Sequence, residues 1–190
     1  NNSDIPLLIS MDAEWGIGMR IDSVPKFPWN MSLGAIKNNL LVEEIGEEIG
    51  NQFNRLGIHM NFAPVIDINT NPKNPIIGNR SFGESKINVS NKGISFTRGI
   101  QSKNILATAK HFPGHGDTSK DSHLTLPTID FDKKRIYDVE LYPFKQLIDN
   151  GLAAIMIAHL NIPSMEKADM LPSTLSKNII ENTLIKKLNF

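Results

Sequence analysis

Four short apolar runs alternate with amphipathic stretches, and this alternation constrains the fold more than any other feature of the chain. The runs are Pro6-Leu-Leu-Ile-Ser-Met11, Met60-Asn-Phe-Ala-Pro-Val-Ile66, Ile105 to Lys110 and Ala153-Ala-Ile-Met-Ile-Ala158. Each is near-continuous rather than alternating, the pattern of a strand covered on both faces. Each ends in polar residues: Asp12, Asp67, Lys110-His111 and His159. Between the runs, apolar positions 41, 45, 49, 53 and 56 fall on one helical face, with Gly57 placed to end the helix. Val89 to Ser102 and Arg135 to Asn150 are also amphipathic, and Gly151 follows the second. Leu175 to Leu188 reads as a last helix, with Ser173 or Ser176 as its cap.

The order β-α-β-α-β-α-β-α implies parallel strands joined by right-handed crossovers. Polar groups at the strand C-terminal ends suit a TIM-like (β/α)8 barrel, whose active sites lie on that face. A doubly wound sheet is the alternative. A whole barrel takes about 250 residues, so four βα units in 190 residues read as part of one, a single domain over 1–190. The stretch 69–80, with Pro72, Pro75 and Gly78, is a long irregular loop and a candidate binding loop.

Composition excludes several function classes. Lys plus Arg equals Asp plus Glu at 20 each, so there is no electrostatic case for nucleic acid or an anionic membrane. The absence of cysteine removes disulfides, thiolate metal sites and a cysteine nucleophile, but does not choose a compartment. No apolar run approaches the roughly 20 residues of a membrane-spanning helix. A soluble globular protein is expected, cytoplasmic or exported. The chain opens Asn1-Asn2-Ser3-Asp4, which reads as a start inside a longer gene product.

Chemistry concentrates between Lys110 and His123. Three of the five histidines lie here, with Asp117, Asp121, Lys110 and Lys120, and Pro113, Gly114 and Gly116 break regular structure. A strand that runs into a polar glycine-rich loop is how α/β enzymes present reactive groups. Asp121 and His123 are two apart, so in an extended segment they share a face, and an aspartate there can orient an imidazole for acid/base work near neutral pH. A solvent-facing loop pair is the ordinary alternative. His111, His115 and His123 also suggest a metal-dependent hydrolase, but Pro113 and Gly114 deny the two nearest histidines a common helical face. His115 is instead expected to hydrogen-bond within the loop. Lys110 and His111 are adjacent, so only one should enter a barrel interior unless the strand end twists. Gly16-Ile-Gly18 lacks the rest of a dinucleotide fingerprint. Trp15 and Trp29 read either as core or as an apolar platform for a sugar ring.

Together these pieces resemble family 3 glycoside hydrolases, specifically the β-N-acetylglucosaminidase branch, over essentially the whole chain. The most specific part is Lys110-His-Phe-Pro-Gly-His-Gly116 followed by Asp121-Ser-His123. Supporting pieces are Leu8 to Glu14, Phe27-Pro28 with Met31 to Ala35, Asn61 to Asp67, Gly78 to Phe82, and Ala158-His159 with Pro172 to Ser176. The resemblance implies a retaining glycosidase that removes terminal β-linked N-acetylglucosamine, often from peptidoglycan fragments, with His123 as acid/base and Asp121 as its dyad partner. It places sugar-binding roles on Asp12, Arg20, Arg80, Lys110 and His111, and it implies no metal and no cofactor. Two departures stand out. The family usually has Asp-x-Glu-Gly-Gly near the first strand, whereas this chain has Asp12-Ala-Glu14-Trp15-Gly16; that variant resembles a subgroup whose barrel precedes a further C-terminal domain. The family's nucleophilic aspartate is expected on a strand after Phe190. A retaining enzyme needs that carboxylate about 5 Å from the acid/base, so the 190 residues alone are expected to be inactive, and an unclosed barrel is expected to be poorly stable. Phosphorolysis on the same scaffold is one alternative, since a histidine base does not repel phosphate as a carboxylate would. A non-catalytic sugar-binding module is another.

Overall fold

The structure, a computed structural model, describes residues 4–118 and 126–190. Its centre is a parallel sheet of four strands in the order β1-β2-β3-β4: Ser10–Met11, Met60–Asn61, Leu106–Phe112 and Ala154–Ile157. Register runs Ser10 to Met60, Met60 to Leu106, and Thr108 to Ala154. Spatial order follows sequence order without reversal. That is an arc of a barrel wall; a doubly wound sheet reverses direction at a switch point. The fold is therefore α/β and TIM-barrel-like, with part of a barrel present.

Helix boundaries follow local chemistry. The short α1, Asn30–Gly34, precedes α2, Asn39–Leu56. The Asn38 side chain accepts the Leu40 N–H, and Gly57 closes α2 in the left-handed conformation at φ 68°. Helix α3, Lys86–Gln101, starts at Ser85, whose hydroxyl accepts from the Asn88 N–H. The stretch expected to be one helix from Arg135 begins at α4, Lys133–Arg135, capped by Asp132. It passes through a π-wound turn, Ile136–Glu140, and continues as α5, Leu141–Asp149. The last helix is π-wound over Asn178–Lys187, and the Ser176 hydroxyl accepts the Ile179 N–H.

Apolar faces of α2, α3 and α5 cover the sheet: Val42, Ile49, Phe53, Val89, Phe96, Ile100, Phe144 and Leu147 are all buried with Ala107, Ala109 and Phe112 of β3. Phe112 meets Phe144 edge-on at 5.1 Å. Helices α2 and α3 touch backbone to backbone at Gly99, where a Cβ would stand 2.0 Å from the Glu43 carbonyl oxygen.

Two expected strands are shorter than their apolar runs. In the second, Pro64 has no N–H to donate and the ladder stops at Asn61, with a single further bridge from Val65 to Lys110. In the first, only Ser10 and Met11 pair, and Leu7 and Leu8 are exposed rather than covered. Strand β4 pairs on one side and is half-buried along its length. Among the described residues no helix is long and apolar enough to cross a membrane.

Candidate active site

The C-terminal ends of β1, β3 and β4 open onto a cavity of about 290 Å³. Asp12, Ile76, Arg80, Lys110, His111, His115, Met156, Ile157, Ala158 and His159 line it. Four residues marked out by the sequence, Asp12, Arg80, Lys110 and His111, thus meet there from across 99 residues of chain. The irregular loop contributes Ile76 and Arg80, as a binding loop should.

Glu14 and Asp67 hold this constellation from beneath. Glu14 is 1% exposed and takes a two-pronged grip from Arg80, with Nε 3.0 Å from Oε2 and Nη2 2.7 Å from Oε1. Lys110, also buried, places Nζ 2.8 Å from the same Oε1 and 2.7 Å from Asp12 Oδ1. Burial pushes the Glu14 carboxyl up, but the Arg80 hydrogen bonds and the charges of Lys110 and Arg80 outweigh it and hold it below its ordinary value. Arg80 shows the reciprocal balance: burial disfavours its charge, and Glu14 more than restores it. Two cations thus meet two carboxylates, Glu14 and Asp12, and the four side chains carry no net formal charge. Asp12, whose side chain is 35% exposed, is left as the carboxylate facing the cavity.

Asp67 is fully buried and accepts three N–H groups of the next strand end. Its Oδ1 takes the His115 amide at 2.7 Å, both oxygens lie 3.2 Å from the His111 amide, and Oδ2 is 2.6 Å from His111 Nδ1. Burial raises its carboxyl, but the His111 imidazole dominates and the net shift is downward. An ionised Asp67 accepts from His111 Nδ1–H, and Nε2 of the same ring lies 3.4 Å from Arg80 Nη2.

Both Lys110 and His111 enter the cavity, which corrects the expectation that only one would. The β3–β4 register shifts between Lys110 and Phe112, so strict alternation ends there. Arg20 is not among the cavity-lining residues. It grips Asp12 from outside, with Nε 2.9 Å from the Asp12 carbonyl and Nη2 3.4 Å from Oδ2. Trp15 and Trp29 pack on each other at 4.2 Å, with Trp29 exposed. His115 bonds within its own loop as expected, Nδ1 to the Thr118 hydroxyl at 2.7 Å. Gly116 brings this loop against the end of the second run; a Cβ there would stand 1.8 Å from the Ile68 carbonyl oxygen. Asp121 and His123, the expected dyad and the third histidine of the metal reading, lie outside the described residues. Among the described residues no three His, Asp or Glu side chains group to hold a metal ion.

Sequence reading missed the clamping role of Glu14, the tie of Asp67 to His111, and the cavity position of His159, whose Nδ1 sits 2.8 Å from the Thr174 hydroxyl. The available signal was the polar residue after each apolar run.

The glycosyl hydrolase family 3 N-terminal domain profile matches residues 1–190. The chain belongs to this family. It is 35% identical to beta-hexosaminidase A of Pseudoalteromonas piscicida, over all of this chain and 34% of that protein. Among solved structures, a glycoside hydrolase family 3 beta-N-acetylglucosaminidase from Paenibacillus sp. str. FPU-7 superposes with a TM-score of 0.93 at 46% identity, covering 97% of this chain and 35% of that one. The beta-glucoside phosphorylase BglX superposes with the same TM-score at 26% identity, over all of this chain and 36% of that one. The chain spans about a third of the length of these relatives.

Proposed function

We propose that this chain is the sugar-binding and acid/base portion of a retaining β-N-acetylglucosaminidase. The observation that supports this best is the cavity itself: a part-exposed carboxylate, Asp12, beside Lys110 and Arg80, whose two charges Asp12 and the buried Glu14 together balance. A neutral, many-hydroxyl ligand suits such a site better than an ion, because hydroxyls both donate to Asp12 and accept from the guanidinium and ammonium. Relatives named for hexosaminidase and N-acetylglucosaminidase activity point the same way.

In this reading Asp12 accepts from ring hydroxyls, while Arg80, Lys110 and His111 hold other hydroxyls or the N-acetyl group. His123, oriented by Asp121, protonates the leaving oxygen and then takes a proton from water in the second step. The attacking carboxylate is assigned to a strand after Phe190. Asp67 is fully buried and committed to three N–H groups, and Glu14 is buried under two cations, so neither can reach an anomeric carbon.

The test is His123→Ala in the full-length protein, assayed on aryl N-acetylglucosaminides. Turnover should fall by about 10²–10⁴-fold, and less for good leaving groups, which need less protonation. Unchanged rates on poor leaving groups would reject the assignment. The phosphorolytic reading, favoured by the likeness to BglX, is separated by product analysis: free sugar with or without phosphate supports hydrolysis, and a sugar 1-phosphate formed only with phosphate supports phosphorolysis.

A further inference from the structure

His115 carries a hydrogen-bonding atom that no described residue uses. Its amide N–H is held by Asp67 Oδ1, its carbonyl accepts from Asn74 Nδ2 at 2.8 Å, and its Nδ1 meets the Thr118 hydroxyl. Nε2 alone is left, buried and without a partner among the described residues, on a side chain that is 2% exposed and lines the cavity.

The network also bears on the chemical character of that atom. The Thr118 hydroxyl lies 3.1 Å from the His115 carbonyl oxygen, which can only accept. When the hydroxyl donates there, its lone pairs accept from Nδ1–H at 2.7 Å and face Asn74 Nδ2 at 3.5 Å. In that tautomer Nε2 is a bare acceptor. Burial pushes the imidazole's proton affinity down, with the Asp67 charge opposing, so the ring is neutral near pH 7. A buried acceptor without a donor is costly, and the cavity is the direction from which a donor can come. Arg80 reaches Glu14, the Ile76 carbonyl and His111 Nε2, but makes no hydrogen bond to His115 Nε2.

We propose that His115 Nε2 accepts a hydrogen bond from a ring hydroxyl of the pyranose bound in the cavity, making His115 a specificity residue in addition to its place in the loop. This rests on the reading of the cavity as a saccharide site. A bare imidazole nitrogen accepts from O–H and gives nothing to a carbonyl or an anion, so it selects for a hydroxyl at one ring position.

The experiment is a binding cycle on the full-length protein with N-acetylglucosamine and its 3-, 4- and 6-deoxy analogues, comparing wild type with His115→Asn. The asparagine amide keeps a donor at the Nδ1 position for Thr118 but has nothing at Nε2. One analogue should bind about tenfold more weakly than the parent sugar to wild type and no more weakly than the parent to the variant. Equal losses on both proteins for every analogue would overturn the proposal. A second measurement needs no variant: the His115 Nε2 nitrogen resonance should begin at the position of an unprotonated nitrogen and move upfield on saturation with N-acetylglucosamine. A protonated Nε2, or a resonance unmoved at saturation, would overturn it equally. Failure of wild type to bind N-acetylglucosamine at all would sink the saccharide reading of the cavity and the His115 proposal with it, whereas binding without the Nε2 response sinks only the latter.

Discussion

Replacing Glu14 by glutamine should damage this protein more than any other isosteric change at the site. Glu14 receives three contacts from charged donors, Arg80 Nε at 3.0 Å, Arg80 Nη2 at 2.7 Å and Lys110 Nζ at 2.8 Å, while 1% exposed. Glutamine keeps one accepting oxygen and turns the other position into a donor that faces a donor. Lys110 retains Asp12 as a partner, so the loss is that of one buried charge partner rather than of every contact. Breaking a buried ion pair from one side costs about 3–5 kcal/mol. For a chain of this size that corresponds to a melting point lowered by about 6–20 °C. Trp15 adjoins Glu14 in sequence and packs on Trp29, the other tryptophan of the chain, so their fluorescence reports unfolding near the lesion. The pH dependence should change as well. Glu14 is depressed in the folded state, so its stabilisation is fully present above its ordinary value of 4.5 and is lost as pH falls through the lower folded value. Wild type should therefore lose stability on acidification below about pH 4.5, and Glu14→Gln should lose less over that interval, with Asp67 supplying the remainder. A melting point at pH 7 within about 2 °C of wild type, below what one kcal/mol produces, would refute the reasoning.

Asp67→Asn should lower kcat/KM on aryl N-acetylglucosaminides by about 10²-fold, as loss of a carboxylate partner does for other oriented histidines, because the amide no longer fixes the His111 tautomer; a change under about threefold would contradict this. Gly99→Ala should destabilise by about 1–3 kcal/mol, seen as a lowered urea midpoint with activity retained at low denaturant, since its Cβ would collide with the Glu43 carbonyl where α2 crosses α3. The isolated chain 1–190 should show no glycosidase activity on a chromogenic N-acetylglucosaminide; hydrolysis that disappears in His123→Ala would require a nucleophile within these residues.

The alternation of apolar runs and amphipathic stretches was enough to specify parallel strands, helices between them, and reactive groups at one end of the sheet. Those features depend on local periodicity, caps such as Asn38 and Ser176, and Gly57, which act over a few residues. Motif chemistry likewise drew attention to Asp12, Arg80, Lys110 and His111. Their arrangement depended on distance in sequence. Glu14 meets Arg80 across 66 residues and Lys110 across still more, and no periodicity encodes a pairing created by neighbouring strand ends. Pro64 shortened β2, and the irregular register at the end of β3 brought both Lys110 and His111 to the cavity. The unpaired Nε2 of His115 was equally invisible in the sequence, which shows that a histidine is present but not which of its polar atoms the folded chain leaves without a partner. Tertiary structure decided that because hydrogen bonding in a buried site is settled by every group packed around it, whichever parts of the chain supply them.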